Sequence, residues 1–309
     1  MIPVLDFSRF ANTQDKAGFV ADLGAAARGV GFFMLRGHGI DPTLQENVFA
    51  QAGSFFTLSP MEKEKCSILN TPHYRGWARP GLESLDEHSG LIDQKESFNI
   101  GLDLPADDPR VVAQDPFYGV NQWPDLPEFA RTMRAYYDAA LDLGVRVCRA
   151  IALDLGVRET YFDDVLHEPM AALRLLHYPP ATGNTNAIGA GAHSDYGLLT
   201  LLMTDGEPGL QIKSRGGDWI DAPHVDGAYV VNIGDCLMRW TNDIYISTPH
   251  RVLPPKRQRR SVAMFIEANP NAIVAALPGT GAPKYPPIRA ADYLMSRLNA
   301  TYHPNDGVK

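Results

Sequence analysis

The rhythm of the second half constrains this chain most. Between residues 171 and 267, short runs of β-branched, leucine and aromatic residues alternate with pairs of turn formers. Strands are expected at 171–178, 196–203, 209–213, 218–221, 228–233, 246–253 and 260–267. The separators are Pro179-Pro180, Asp205-Gly206, Gly216-Gly217, Asp226-Gly227, Gly234-Asp235 and Pro254-Pro255. Proline presets φ for a turn, and glycine takes the positive φ that other residues resist. Many short strands at such spacing indicate a sandwich or barrel, and a jelly roll fits their number.

The first half mixes helices with isolated strands. Val4-Leu5-Asp6-Phe7 reads as a short strand, and residues 15–27 have helical spacing that ends at Gly29. Residues 31–37 form a glycine-bounded apolar run, a buried strand, and a second helix is expected over 43–57. The Pro- and Gly-rich stretches 70–90 and 102–125 read as loops. Loops that long in a compact domain are more often lids or binding loops than idle connectors. Between them 96–100 suggests a strand. Over 126–155, Phe129, Met133, Tyr136, Ala140, Leu143, Val147 and Ile151 share a face, as in a helix lying behind a sheet. Shorter helices are expected near 159–166 and 290–299. The expectation is one domain, β-rich α+β. A mixed segment spans 1–125, a supporting helix 126–170, the jelly-roll core 171–267, and a helix and tail 268–309.

Composition removes several function classes. Lys and Arg number 28 against 36 Asp and Glu, a net charge of −8, so no general attraction to nucleic acid or acidic membranes is expected. The basic run at 256–260 read alone resembles a localisation signal or phosphate patch, but it leads straight into a strand. Cys66, Cys148 and Cys236 are odd in number and lack CxxC spacing, which points to a reducing compartment without a disulfide framework. The chain start lacks the pattern of a signal peptide. No run of ~18 apolar residues suggests a membrane span. A cytoplasmic protein acting on a small molecule is expected, with oligomeric state left open by the sequence.

The chemistry gathers at His193-Ser194-Asp195, at the head of an apolar strand, and at His250 in a β-branched segment. On a strand, residues i and i+2 point the same way, so His193 and Asp195 can converge on one ion. Two imidazoles and a carboxylate form the facial triad that holds non-haem Fe(II) with open positions. For His250, spacing alone leaves a ligand and a packed, hydrogen-bonded strand histidine about even. The second His-x-Asp, His224-Val225-Asp226, is flanked by Pro223 and Gly227 and reads as a solvated turn. Arg259 and Ser261 are again i and i+2, sharing a face with Ala263 and Phe265. An Arg on a core face is costly unless it meets an anion; the alternative register turns Arg260 inward instead. Gly189-Ala190-Gly191 lacks the third glycine and the helix of a dinucleotide loop.

These residues resemble the Fe(II)/2-oxoglutarate-dependent oxygenases of the isopenicillin N synthase-like family. The matching elements are Leu173-Arg174-Leu175-Leu176-His177-Tyr178-Pro179-Pro180, the His193/Asp195 strand, Gly209-Leu210-Gln211-Ile212 and Val230-Val231-Asn232-Ile233-Gly234-Asp235. Trp240-Thr241-Asn242-Asp243, Ser247-Thr248-Pro249-His250-Arg251-Val252 and Arg259-Arg260-Ser261 continue them. Ile2-Pro3-Val4-Leu5-Asp6-Phe7 and Gly37-His38-Gly39-Ile40 resemble the family's leading segment. The resemblance implies a distorted double-stranded β-helix with supporting helices. It implies Fe(II) on His193, Asp195 and His250, and 2-oxoglutarate held through its distal carboxylate by Arg259 and Ser261 and contacted by Tyr178. Dioxygen would be consumed, succinate and carbon dioxide released, and a small organic molecule oxidised, with hydroxylation the default.

The chain departs from plant members, which often carry Asn where Leu176 stands and Tyr where His177 stands. Regions that line the pocket in similar enzymes correspond to Tyr74, Arg75, Gly76 and Trp77, and to Phe98 and Asn99. Arg174, His177, Met238, Trp240 and Phe265 are further candidates, and Arg75 hints at an anionic substrate. Three rival readings are an oxidase of this fold that dispenses with 2-oxoglutarate, a zinc hydrolase, and a non-catalytic jelly-roll binding module. A zinc hydrolase would leave Arg259 and Ser261 unexplained.

Overall fold

In the computed structural model, which describes residues 2–83, 85–86, 91–181, 183 and 187–302, the chain opens with β1 (Val4–Asp6), α1 (Ser8–Ala11), α2 (Lys16–Gly29) and β2 (Phe32–Arg36). Next come α3 (Pro42–Phe56), α4 (Pro60–Glu64), β3 (Gly76–Ala78), β4 (Ile92–Asp93), β5 (Glu96–Gly101), α5 (Pro109–Val112) and the long α6 (Phe129–Asp154). The second half supplies β6 (Ala172–Tyr178), β7 (Ala187–Ile188), β8 (Ala190–His193), β9 (Leu199–Thr204), β10 (Leu210–Lys213), β11 (Trp219–Asp221) and β12 (Tyr229–Ile233). It closes with α7 (Asp235–Trp240), β13 (His250–Val252), β14 (Arg259–Ile266), β15 (Ile273–Val274), β16 (Ile288–Arg289) and α8 (Ala290–Tyr302).

Two sheets make the double-stranded β-helix. The larger runs β1-β2-β12-β9-β14-β6-β5-β3 and the smaller β11-β10-β13-β8. Side-chain alternation gives the large sheet two different faces. Phe33, Leu35, Leu175, Leu199, Leu201, Val231 and Val262 point to the helix side, where α2 and α6 cover the sheet. On α6 the residues spaced three or four apart, from Phe129 to Ile151, are all buried, so the helix lays one apolar stripe on the strands. Each large apolar side chain so removed from water contributes about 1.5–3 kcal/mol. The opposite face carries Phe32, Met34, Leu176, Val230 and Ala263, which meet Leu210, Ile212 and Val252 of the small sheet. The candidate site lies in that inter-sheet layer.

The differences from expectation have local causes. Within the stretch read as a loop over 70–90, β3 pairs antiparallel with β5; residues 84 and 87–90 of that stretch, and 303–309 of the tail, lie outside the described residues. The strand expected from 196 begins only at Leu199. The carbonyls of Asp195, Tyr196 and Gly197 accept the first N–H groups of α7, from Asp235 at 2.8 Å and from Cys236 at 3.1 Å. A helix start consumes the acceptors a ladder would have used. That helix was not expected; Gly234-Asp235 reads only as a turn. The strand expected over 246–253 shrinks to β13, because Pro249 has no N–H to donate and Thr248 Oγ1 bonds Val30 O at 2.8 Å. The helix expected at 159–166 is a single 3-10 turn, Asp163–Val165. Strand β8 was hidden by Gly191 within it and Gly189 just before it. Among the described residues no helix is long and apolar enough to cross a membrane.

Candidate active site

His193 is the last residue of β8, Asp195 follows in the connection held by α7, and His250 opens β13, whose backbone pairs with His193 in register. The small sheet therefore brings the histidines together, and the α7 contact swings the carboxylate between them. The imidazole rings stand 4.4 Å apart, and Asp195 Oδ1 lies 3.7 Å from His193 Nε2 and 3.6 Å from His250 Nε2. One donor atom from each of the three lies within 4.8 Å of the others.

The hydrogen bonds leave these atoms available. His193 Nδ1 sits 2.7 Å from Gly191 O and His250 Nδ1 sits 3.2 Å from Thr248 O. Since a carbonyl only accepts, each Nδ1 carries the proton and each Nε2 keeps its lone pair. Asp195 Oδ2 accepts from Thr200 Oγ1 at 2.5 Å and from Asn232 Nδ2 at 2.7 Å, which turns Oδ1 toward the histidines. Burial, with His250 beside it, pushes the His193 imidazole well below its ordinary range. Burial works against ionising Asp195, but the two histidines and its two hydrogen bonds hold the carboxyl below the usual value. Neutral imidazoles and a carboxylate are the forms that ligate a metal. Two nitrogens and one oxygen, with cavity on the open side, fit Fe(II).

The same layer holds a cavity of about 180 Å³. Along β14 the side chains of Arg259, Ser261, Ala263 and Phe265, then Glu267 beyond its end, face it. Their cross-strand partners on β6 are Tyr178, Leu176, Arg174 and Ala172, and these line it too. Arg259 is 1% exposed. It lies 4.9 Å from the Tyr178 ring centroid and donates to Glu207 O at 3.2 Å and Ser261 Oγ at 3.3 Å. Among the described residues no carboxylate pairs with it. A buried guanidinium in that condition calls for an anion.

Of the residues expected around a substrate, Tyr74, Arg75, Asn99, Arg174 and Phe265 line the cavity. The structure puts others elsewhere. Strand alternation that turns Asn99 inward sends Phe98 to the helix side, 4.6 Å from the Phe55 ring and 5.4 Å from that of Phe129. The same alternation turns His177 away between Leu176 and Tyr178, onto Glu96 at 2.9 Å and the Phe56 ring at 5.3 Å. Trp240 ends α7 edge-on to Phe162 at 5.5 Å, and Met238 Sδ accepts the Ser247 N–H at 3.3 Å. His224 and Asp226 form an exposed pair 2.9 Å apart.

The sequence reading missed Thr200 and Asn232, and it missed Lys95, Glu267, Leu294 and Leu298, which also line the cavity. Two carried a signal: Asn232 interrupts the apolar run 229–233, and Glu267 continues the i+2 series from Arg259. Burial, then the nearby Asp195 and Asp235, pushes the Glu267 carboxyl up to about 8.

Comparison with known proteins agrees with this geometry. Residues 2–126 match the family described as non-haem dioxygenase in morphine synthesis N-terminal, and residues 169–268 match the 2OG-Fe(II) oxygenase superfamily. The 2-oxoglutarate-dependent dioxygenase citB of Monascus ruber is 36% identical over 319 residues, spanning 98% of this chain and 96% of the relative. The 2-oxoglutarate-Fe(II) type oxidoreductase hxnY of Emericella nidulans is 36% identical over 97% of this chain and 90% of its own. Among solved structures, a full-length Neurospora crassa protein in complex with alpha-KG and thymine has a TM-score of 0.86 at 35% identity, covering 97% of this chain and 96% of that one. A 2OG-Fe(II) oxygenase family protein from Caulobacter crescentus has a TM-score of 0.85 at 29% identity, covering 96% and 98%. With two profiles and full-length relatives in agreement, the chain belongs to the Fe(II)/2-oxoglutarate-dependent oxygenases of the isopenicillin N synthase-like family and is a 2-oxoglutarate-dependent dioxygenase.

Proposed function

We propose that this dioxygenase hydroxylates a compact organic molecule seated between the histidine–aspartate cluster and residues 74–75. His193, Asp195 and His250 hold Fe(II), while Arg259 and Ser261 grip the distal carboxylate of 2-oxoglutarate and Tyr178 contacts it. One observation carries the reading: a single cavity contains three free metal-type donor atoms and a buried guanidinium that no carboxylate among the described residues pairs with. The Neurospora crassa relative was solved with thymine and with 5-formyluracil, which supports a substrate of about that size. We also read the chain as one oxygenase unit of the cytoplasm, with no nucleic-acid or membrane partner. Its three cysteines are free and buried, which supports a reducing compartment.

When bound, Fe(II) supplies the oxygen activation that protein side chains lack. The chain's own groups position and shield. Gly191 O and Thr248 O hold the imidazoles in the tautomer that presents Nε2. Thr200 and Asn232 occupy Asp195 Oδ2, so the carboxylate offers one oxygen and leaves the cavity side open. The planar fork of Arg259 matches a carboxylate with two parallel N–H bonds, which a lysine would not. Leu176, Leu210 and Val252 wall the cavity with apolar surface, which keeps water from the reacting centre. In the overall balance, one atom of dioxygen enters the hydroxyl product and the other enters succinate as carbon dioxide leaves.

The test is succinate release by the purified protein with Fe(II), 2-oxoglutarate and oxygen, with and without a panel of small molecules. Release that needs all three and stops in His193→Ala supports the proposal. Oxygen consumption independent of 2-oxoglutarate, or full activity in His193→Ala, overturns it.

A further inference from the structure

We propose that Arg75 and Asn99 are the substrate anchor, and that they select a small ring presenting a carbonyl oxygen beside an N–H, the edge of a lactam or cyclic imide. The proposal rests on the reading of the cavity given above and names the chemistry of its substrate half.

Most charged groups near that half are already matched. Lys95 Nζ lies 2.6 Å from Asp93 and 3.3 Å from Glu83, while Arg174 pairs with Glu83 and donates to Ser97 Oγ at 2.8 Å. Arg75 and Asn99 differ. Arg75 is 5% exposed and donates one bond, to Phe117 O at 2.8 Å, while its Nε has no partner. Among the described residues no carboxylate pairs with it. Asn99 is 8% exposed and its Oδ1 has no partner. Buried polar groups are normally satisfied, so two that face one cavity are set to be completed by a ligand.

The backbone is arranged to keep them there. The Arg75 guanidinium lies on Gly101, where a Cβ would stand 1.9 Å from its NH2 and 2.0 Å from its Cζ. Only glycine leaves that seat open. Tyr74, just before it, holds a left-handed φ of 54°, which a non-glycine residue adopts only when its surroundings impose it. Asn99 and Gly101 share a face of β5, so the two groups sit side by side, with backbones roughly 7 Å apart.

The register then sets the distance to the metal donors. Gly101 pairs with Ala172, Ala172 with Phe265, Phe265 with Thr200, and Thr200 bonds Asp195. Three strand spacings are about 14 Å, and side chains reach in from both ends. A single ring fits the gap that remains. Ala172 and Phe265 line it between the two ends. A carboxylate would satisfy Arg75 and could accept from the Asn99 NH2, but it would leave Asn99 Oδ1, the atom without a partner, unmatched. A lactam edge gives an N–H to Asn99 Oδ1 and a carbonyl oxygen to the donors of Arg75.

The test is anaerobic calorimetry on the protein loaded with Fe(II) and 2-oxoglutarate, using uracil, thymine and δ-valerolactam against benzoate. At least one of the first three is expected to bind more tightly than benzoate. Arg75→Gln and Asn99→Leu should each weaken it by about 10-fold or more, the range for a hydrogen bond to a buried partner. Arg75 also bonds backbone, so Asn99→Leu is the cleaner variant. Its amide makes no bond within the described protein, so the thermal midpoint should hold or rise while affinity falls. Unchanged affinity in both variants, tighter binding of benzoate, or no binding by any of the three ring compounds overturns the proposal. Failure to bind Fe(II) or 2-oxoglutarate at all would instead defeat the reading beneath it.

Discussion

Replacing Arg259 by Ala removes a buried cavity cation that no carboxylate pairs with among the described residues. The side chain is 1% exposed, so a carboxylate bound to it would be paired away from water. Truncating one partner of such a desolvated charge pair costs about 2–5 kcal/mol. At 1.4 kcal/mol per decade that is a loss of roughly 30- to 4,000-fold in affinity for 2-oxoglutarate. Arg259→Lys keeps the charge but not the two parallel donors, and should fall between wild type and Ala. In the ligand-free protein Arg259 hydrogen-bonds, among the described residues, only Glu207 O and Ser261 Oγ, so the thermal midpoint should move far less than the affinity. The assay is titration of 2-oxoglutarate against succinate release, with anaerobic binding measured in parallel. Affinity within about threefold of wild type, a difference under 1 kcal/mol, would refute the assignment.

Thr200→Val removes one of two hydrogen bonds to Asp195 Oδ2, and Fe(II) affinity by competitive chelation should drop about 10–100-fold. Phe98→Ala empties a fully buried site between two rings; chemical denaturation should show a loss of about 3–5 kcal/mol, with the substrate KM unchanged because the side chain faces the helices. The Glu267 carboxyl is raised to about 8 from an ordinary 4.5, so the folded chain keeps a proton that the unfolded chain releases. Ligand-free stability should therefore decline as pH rises from the ordinary carboxyl range through about 8, by up to about 1.4 kcal/mol per pH unit. Glu267→Gln should flatten that decline in thermal midpoints, and an identical slope in both proteins would count against it.

Much of the fold was legible because it is written in periodicity. The stripe from Phe129 to Ile151 and the alternation from Arg259 to Phe265 each state which face is buried. What escaped depended on contacts between distant residues. The α7 start takes the Asp195–Gly197 carbonyls, and nothing local in that apolar run announces the loss of strand. His193 and Asp195 were read as side chains i and i+2 of one strand and His250 as part of another; the structure brings the three candidate ligands together through a strand end, a helix start and a cross-strand pair. Phe98, His177 and Trp240 were drawn toward the cavity by proximity in sequence. Alternation on β5 and β6 already forbade Phe98 and Asn99, or His177 and Tyr178, from facing it together. Trp240 needed knowledge of α7, which Gly234-Asp235 did not betray.

The central claim is that His193, Asp195 and His250 hold one ferrous ion beside an Arg259-bound 2-oxoglutarate. The most direct measurement is anaerobic titration of the metal-free protein with Fe(II) and 2-oxoglutarate, following the visible charge-transfer absorption of the two together. The account predicts a band that needs both components, saturates at one iron per chain, and vanishes in His250→Ala. A band of full strength in that variant, or none in the wild type when both components are bound, would contradict it.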